Sequence, residues 1–140
     1  MKPDHELSRL AARQYGLYTT DQALDAGLTS SALSRRQESG RVRRLEPEVY
    51  RVNGTPETWH QRLLVACFAE DAVASHRAAA ALFGLDGFPP RIIEVTTFRW
   101  QRKANPSVRA HESTDLRDVH RTERCGIPVT TIERTLIDLG

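Results

Sequence analysis

The chain has 140 residues, of which 39% are hydrophobic and 27% charged, and its formal net charge is +2. This composition is typical of a globular protein and excludes a largely disordered chain. The longest uncharged apolar run, Leu63 to Ala69, is too short to cross a bilayer, and the acidic start lacks the apolar core of a signal peptide. The two cysteines lie far apart and form no metal or disulfide pattern, so we predict a cytoplasmic location.

Three short helices are predicted before Gly40. Apolar residues at helical spacing place the first helix before Gly16, with Leu7, Leu10, Ala11 and Tyr15 facing inward. The second helix is expected to start from Thr20 as its cap, to point Ala23 and Leu24 inward, and to end at Gly27. The third is expected to open from a Thr/Ser cap near residue 30 and to close at Gly40.

After Gly40 the hydrophobic period changes. Valines and Leu45 alternate with arginines around Pro47, which predicts two short strands joined by a turn. Three helices followed by a two-stranded ribbon form a winged helix-turn-helix. The predicted fold class is therefore α+β, with a winged helix-turn-helix at the N-terminus.

Residues 53–58 have no hydrophobic period and contain Gly54 and Pro56, which indicates a domain boundary. We therefore predict a winged helix-turn-helix domain over residues 1–54 and a small α/β domain over 55–140, with two helices and a short sheet. Ser75 is expected to cap a helix that starts at His76, and strands are expected within residues 91–98, 107–113 and 126–131. The basic stretch 99–109 is interpreted as a solvated hairpin loop, with a second nucleic-acid contact or a docking surface as alternatives.

The last predicted helix, residues 131–140, has an apolar face made by Ile132, Leu136 and Leu139. Either this face packs on the strands just before it, or the chain is a shortened form of a longer protein. Both interpretations stay open at this point.

Positive charge is concentrated where the third helix meets the ribbon. Five arginines and a single acid, Glu38, lie between Arg35 and Arg44, although the whole chain is nearly neutral. In a helix-turn-helix the second helix enters the major groove of DNA, and a wing contacts the backbone. The predicted DNA-binding residues are Ser30, Ser31, Ser34 and Arg35 on the helix, and Arg41, Arg43 and Arg44 on the wing. Ala32, Leu33 and Gln37 are expected to face inward. Arg36 is expected to lie near the inward side and to reach solvent only with its head group.

Four segments carry a resemblance to a known family: "LAARQYGLYTTDQALDAGL", "SGRVRRLEPEVYRV", "ASHRAAAALFGLDGFP" and "GIPVTTIERTLIDLG". Together they resemble the AbiEi-type antitoxin-like transcriptional regulators of type IV toxin–antitoxin systems in bacteria. The sequence departs from the usual pattern at Arg36 and Gln37, where apolar residues are expected.

The resemblance implies a winged-helix domain that binds operator repeats in double-stranded DNA and represses its own operon. It also implies an antitoxin-like α/β domain linked to a nucleotidyltransferase-like toxin, and self-association on DNA. Many relatives continue into a domain similar to a very-short-patch-repair endonuclease. The sequence therefore leaves three hypotheses open: a DNA-binding regulator without catalysis, the DNA-targeting portion of such an endonuclease, and a protein-interaction module.

No catalytic, cofactor or metal site is predicted. The five histidines, which are His5, His60, His76, His111 and His120, show no pair at ligand spacing and no nearby cysteine. Ser75 and His76 are adjacent at a helix start, where neighbouring side chains are expected to point in different directions and not to form a nucleophile–base pair. Asp86, Glu94 and Glu112 are the acids that could resemble a nuclease set, but the chain's lysines are only Lys2 and Lys103.

Overall fold

A computed structural model describes residues 3–98 and 105–140. These residues form six α-helices, one 3₁₀ turn and eight strands in two sheets, which confirms the α+β class. Contacts divide the chain into two compact units, one ending at Gln61 and the other starting at Arg62. No helix within the described ranges has the length and hydropathy needed to span a membrane. Residues 99–104 of the basic stretch lie outside the described residues.

The first unit runs α1 (Pro3–Arg13), β1 (Leu17–Thr19), α2 (Thr20–Asp25), α3 (Ser30–Glu38), β2 (Val42–Glu46) and β3 (Val49–Val52). Its three strands form an antiparallel sheet in the order β1-β3-β2. This order of elements is the one expected of a winged helix-turn-helix. Strand β1 was not predicted, because three residues are too few for a recognisable alternation.

Helix α2 begins one residue earlier than the sequence suggested. The cap is Thr19 and not Thr20, since the Thr19 hydroxyl accepts a hydrogen bond from the Gln22 N–H at 3.2 Å. The Gln22 side chain in turn accepts from the Thr19 N–H at 3.0 Å, which completes a capping box. Leu24 was predicted to face inward but is 42% exposed, because Ala23 and Leu28 fill the core beside it.

The core of the first unit lies between the helices and one face of the sheet. It is formed by buried side chains from all three helices and all three strands: Leu7, Ala11, Tyr18, Ala23, Leu28, Leu33, Val42 and Tyr50. Gly16, at φ +82°, follows α1, and a Cβ there would overlap the Thr55 side chain. This close approach holds the start of the segment after β3 against the end of α1.

The second unit is larger than the predicted two helices and short sheet. Helix α4 (Trp59–Glu70) begins in the first unit, and β4 (Ala72–Ala74), α5 (His76–Leu82), β5 (Glu94–Thr97) and β6 (Arg109–Glu112) follow. After a 3₁₀ turn at Asp118–His120 come β7 (Arg121–Arg124), β8 (Ile127–Thr130) and α6 (Ile132–Leu139). The sheet order is β6-β5-β4-β8-β7, with parallel pairing in β5–β6 and β4–β8.

One prediction for this unit is wrong. Strands β5 and β6 are parallel, so the two strands do not form a hairpin. The apolar face of α6, whose burial the sequence left open, is largely exposed, with Ile132 38% and Leu136 55% accessible, whereas Thr135 is fully buried. The Thr135 hydroxyl lies 2.7 Å from that of Thr130, so a buried polar contact joins this helix to the end of β8.

Tyr18 is the largest of the almost completely buried side chains. Its ring stacks on Tyr50 with 5.8 Å between centroids, and its hydroxyl has no hydrogen-bond partner within the described ranges. Burial, followed by the proximity of Tyr50, raises the pKa of Tyr18 to about 12. The ring therefore contributes packing, while the hydroxyl carries an uncompensated desolvation cost.

We expect the substitution Tyr18→Phe to leave the free energy of unfolding unchanged or to raise it by roughly 1 kcal/mol, because it removes a buried, unpaired polar group. Urea denaturation followed by circular dichroism measures this, with Tyr50→Phe as the matched control on the stacked ring. A loss of stability specific to Tyr18→Phe would mean that the hydroxyl is hydrogen-bonded, for instance to water.

Candidate nucleic-acid interface

The N-terminus of α3 is capped by Thr29, and its first backbone N–H groups have no acceptor within the helix. The Thr29 hydroxyl accepts a hydrogen bond from the Ala32 N–H at 3.0 Å. The N–H groups of Ser30 and Ser31 precede it and have no carbonyl four residues back within the helix. Donors of this kind, together with the helix dipole, favour an approaching anion such as a phosphate.

The four predicted helix residues all lie on the accessible side of α3. Ser30, Ser31, Ser34 and Arg35 are exposed, and Leu33 is buried in the core on the opposite side. Gln37 was predicted to face inward and is exposed instead. The inward position near the end of the helix is taken by Arg36.

Arg36 carries a positive charge in this surface and also connects α3 to α1. Its side chain is only 17% exposed and forms an ion pair with Asp4 of α1. Burial, and then the nearby charge of Arg41, lower the pKa of Arg36 from its ordinary value. The side chain therefore packs along the helix pair while its head group stays near the surface, as the sequence predicted.

A tight turn connects α3 to the wing and fixes the position of Arg41. Gly40, at φ +80°, follows the helix cap, its N–H bonds the carbonyl of Gln37 at 3.2 Å, and the Arg41 N–H bonds the carbonyl of Arg36 at 3.0 Å. This is the Schellman pattern, which needs a left-handed residue such as glycine at this position. The Asn53 N–H also donates to the Arg41 carbonyl at 2.9 Å, so the residue just after β3 holds Arg41 as well.

These connections create a shallow groove between the end of α3 and the start of the wing. Its lining residues, which define the helix–wing groove, are Ala32, Arg35, Arg36, Ser39 and Arg41. The structure thus brings Arg35, predicted on the helix, together with Arg41, predicted on the wing. Three guanidinium groups share one concave surface.

The two remaining predicted arginines lie on opposite faces of the ribbon. Arg44 is paired with Tyr50, so it lies on the face of the sheet that packs on the helices, and Arg43 is paired with Arg51 on the other face. Neighbouring residues of a strand always alternate in this way. Both side chains are exposed. Since β2 is the edge strand of its sheet, both can reach a partner that approaches the edge.

Four arginines of this surface have no acidic partner among the described residues. Within residues 3–98 and 105–140, no ion pair involves Arg35, Arg41, Arg43 or Arg44. Other arginines of the first unit do form pairs, Arg36 with Asp4 and Arg51 with Glu57. Four of the predicted arginines therefore remain available for a polyanion.

A second polar cluster, in the second unit, was missed by the sequence analysis. Ser75 is at the cap position of α5, but its hydroxyl makes no capping bond and instead lies 2.9 Å from Nδ1 of His76. The expectation that these neighbours diverge is wrong, because His76 has a left-handed backbone at φ +51°. The cap is supplied by Glu94, whose Oε1 accepts a hydrogen bond from the Arg77 N–H at 3.0 Å.

Glu94 joins this cluster to the next strand. Its carboxylate is 3% exposed, and its Oε2 lies 2.7 Å from Nε2 of His111. The rings of His76 and His111 stack with 3.9 Å between centroids. Burial works to raise the pKa of Glu94, but the hydrogen bonds from His111 and Arg77 prevail and the pKa is lowered. Burial, followed by the proximity of His111, lowers the pKa of His76. Only the fold brings these groups together, so no sequence spacing could have revealed them.

We expect Thr29→Ala to lower the free energy of unfolding by about 1 kcal/mol, because the Ala32 N–H loses its acceptor at the start of α3. Thr29→Ser keeps the hydroxyl and should retain most of the stability. Urea unfolding of the two variants beside the parent chain measures the difference. Equal stability of Thr29→Ala and the parent would contradict the assigned cap.

Comparison with known proteins agrees with this architecture. Residues 5–53 match a family model described as a transcriptional regulator, AbiEi antitoxin. Among curated proteins, none matches the chain. The matched residues run from within α1 to just past β3 and so contain the helix–wing groove. The resemblance drawn from the sequence is thereby confirmed over residues 5–53, which are similar to the AbiEi antitoxin family of transcriptional regulators.

Proposed function

We propose that the chain is a cytoplasmic, sequence-specific DNA-binding regulator of antitoxin type that represses its own operon and does not catalyse a reaction. In this proposal α3 enters the major groove of double-stranded operator DNA, and the ribbon of β2 and β3 contacts the backbone beside it. The observation that carries the proposal is the helix–wing groove, where the exposed Arg35 of α3 and Arg41 of the wing share one surface, and neither forms an ion pair with a described residue. The family match to transcriptional regulators supports it independently.

The helix and the wing are proposed to play different parts. Arg35 is exposed on α3 and long enough to reach a guanine edge, which is the commonest base-specific contact of an arginine. Ser30, Ser31 and Ser34 line the same accessible side and suit a phosphate near the helix N-terminus. Arg41, Arg43 and Arg44 supply backbone contacts that position the protein without specifying sequence.

The second unit is proposed to bind a nucleotidyltransferase-like toxin, and operator repeats are proposed to recruit more than one copy of the chain. Support for a protein partner comes from α6, where Leu136 is 55% and Ile137 74% exposed. Large apolar side chains of this kind are the ones that protein interfaces bury. Co-purification of the untagged chain with the product of an adjacent toxin-like gene tests this part.

For Arg35→Ala we expect weaker binding to the operator by about 1–3 kcal/mol and a smaller preference for the operator over unrelated DNA. The loss of preference is expected because a base-edge contact disappears. Fluorescence anisotropy with the operator and with a duplex altered at single base pairs measures both quantities. An equal loss of affinity for every duplex would contradict a base contact by Arg35 and would indicate that Arg35 contacts a phosphate.

For the double variant Arg43→Ala/Arg44→Ala we expect weaker binding to all sequences alike. The slope of log K against log salt should become shallower by about one for each lost phosphate contact. The single variants then separate the two faces of the ribbon, because the arginines lie on opposite sides of β2. Titrations across a range of salt concentrations give the slopes.

The matched control for this pair is Arg9→Ala/Arg13→Ala, which removes the same charge from exposed positions of α1 outside the helix–wing groove. The control should keep the parent slope. Unchanged binding by the Arg43/Arg44 variant, or an equal effect in the control, would exclude the wing as a DNA contact.

A further inference from the structure

Three side chains with metal-binding atoms converge in the second unit. His76, Glu94 and His111 each offer one ligand atom, and the three atoms lie within 4.8 Å of one another. Glu94 is buried, whereas the two histidines are half-buried. The carboxylate is therefore fixed inside the protein, and a cation can approach the cluster from solvent on the side of the histidines. Two imidazoles and one carboxylate form a common ligand set for zinc and for other divalent transition metals.

The fold positions these ligands on neighbouring, regular elements. His111 of β6 is paired with Thr96 of β5, and Glu94 lies two residues before Thr96 on the same face of that strand. His76 is the first residue of α5, which packs against β5. Two ligands thus share one face of a parallel strand pair, and the third comes from the helix that packs on β5.

Hydrogen bonds around the cluster orient two of the three ligands. The Thr96 hydroxyl donates to the Ser75 hydroxyl at 2.7 Å, and Ser75 lies 2.9 Å from Nδ1 of His76. With Nδ1 held by Ser75, the other ring nitrogen of His76 is the one available to a cation. On Glu94 the Arg77 N–H holds Oε1, so Oε2 is the oxygen directed at His111. Such outer contacts are typical of the surroundings of metal ligands.

The backbone at His76 is an additional observation. A non-glycine residue at φ +51° costs of order 1–3 kcal/mol and persists only where the surroundings fix it. That conformation turns the His76 ring back over His111 and Ser75. The chain thus places a histidine, in an unfavourable backbone conformation, beside a second histidine and a buried carboxylate.

We propose that His76, Glu94 and His111 form a binding site for a divalent transition-metal cation of the Zn²⁺ type. One nitrogen of each imidazole and Oε2 of Glu94 are the protein ligands, and the half-exposed side leaves a coordination position for water. Binding replaces the hydrogen bond between His111 and Glu94, so a proton is released if Nε2 carries one. The separation of 2.7 Å between these two atoms must open to roughly 3.3 Å, the spacing of ligands in a tetrahedral zinc site. The ring of the half-exposed His111 must also rotate out of its stack on His76, because an imidazole nitrogen binds a cation in the plane of its ring.

Arg77 allows a further test of Glu94 as a ligand, because its guanidinium group competes with the cation for the Glu94 carboxylate. It lies 3.5 Å from Oε1 of Glu94, and the side chain is 46% exposed. Its positive charge opposes a second cation on the same carboxylate. The backbone N–H of Arg77, which holds Oε1, is unaffected by changes to its side chain.

The experiment is a Zn²⁺ titration of the untagged full chain, after removal of metal with a chelator, by isothermal titration calorimetry. Co²⁺ absorption is the spectroscopic readout of coordination. We expect one Zn²⁺ per chain, and a loss of affinity of more than ~100-fold in His111→Gln and in Glu94→Gln, since loss of an outer contact alone costs about 10–100-fold. Arg77→Gln should bind more tightly than the parent. His5→Gln, which removes an exposed imidazole of α1, should bind as the parent does.

Absence of stoichiometric binding to the parent chain would overturn the proposal, as would parent-like affinity in His111→Gln. Weaker binding in Arg77→Gln would remove Glu94 from the ligand set. If Glu94→Gln fails to fold by circular dichroism, the half-exposed His111 decides the result, because its replacement leaves the buried carboxylate and its cap on α5 in place. DNA binding by the same variants reports on the helix–wing groove separately, since none of its residues is changed.

Discussion

The turn that ends α3 is the constraint on which the proposed DNA surface depends. Two backbone hydrogen bonds, from Gly40 to Gln37 and from Arg41 to Arg36, close the helix, and a third, from Asn53, attaches Arg41 to the ribbon. Burial, and then the charge of Arg41 that this turn places nearby, lower the pKa of Arg36. Repulsion of that kind reduces the stability of the folded chain, and the backbone bonds and the Asp4 ion pair offset it. A polyanion removes the repulsion when it binds, so charges that are unfavourable in isolation contribute to affinity for nucleic acid.

The sequence predicted the first unit well, because its signals are local. Helical spacing, the glycines at residues 27 and 40 and the change of period after Gly40 are properties of neighbouring residues, and the helices and the ribbon formed where they indicated. The errors arose where a signal was short or a tertiary contact prevailed. Strand β1 has only three residues, and its last residue, Thr19, is also the N-cap of α2. Gln37 is exposed where an inward residue was expected, while Arg36 lies on the inward side as predicted and forms an ion pair with Asp4 of α1.

The second unit shows why periodicity and spacing are weaker guides to sites than to elements. On α6 the stripe of Ile132 and Leu136 did not decide whether that face is buried; in the structure both side chains are exposed, and the buried residue is Thr135, whose hydroxyl contacts that of Thr130. At the start of α5, the side chains of Ser75 and His76 were expected to diverge, but they meet because His76 has a left-handed backbone. The cap of this helix is Glu94, which lies on a strand that follows the helix in the chain. Sequence reasoning considered His76, His111 and Glu94 separately and found no ligand spacing. Their proximity depends on the parallel pairing of β5 with β6. A pairing between strands that are separate in the chain leaves no pattern in the spacing of neighbouring residues, so the sequence did not indicate it.

That pairing also gives the proposed metal site a consequence for the fold. Strand β6 lies at the edge of the five-stranded sheet, and three of its four residues are exposed. Besides the backbone pairing with β5, His111 of β6 contacts Glu94 and His76 on the side of α5. A cation bound by all three residues would join helix, inner strand and edge strand. Because the unfolded chain does not present the three ligands together, such binding would stabilise the folded unit by about 2.7 kcal/mol at a cation concentration ~100 times the dissociation constant. An edge strand with little apolar burial is the element for which stabilisation of that size matters most, since open edges otherwise pair with other chains.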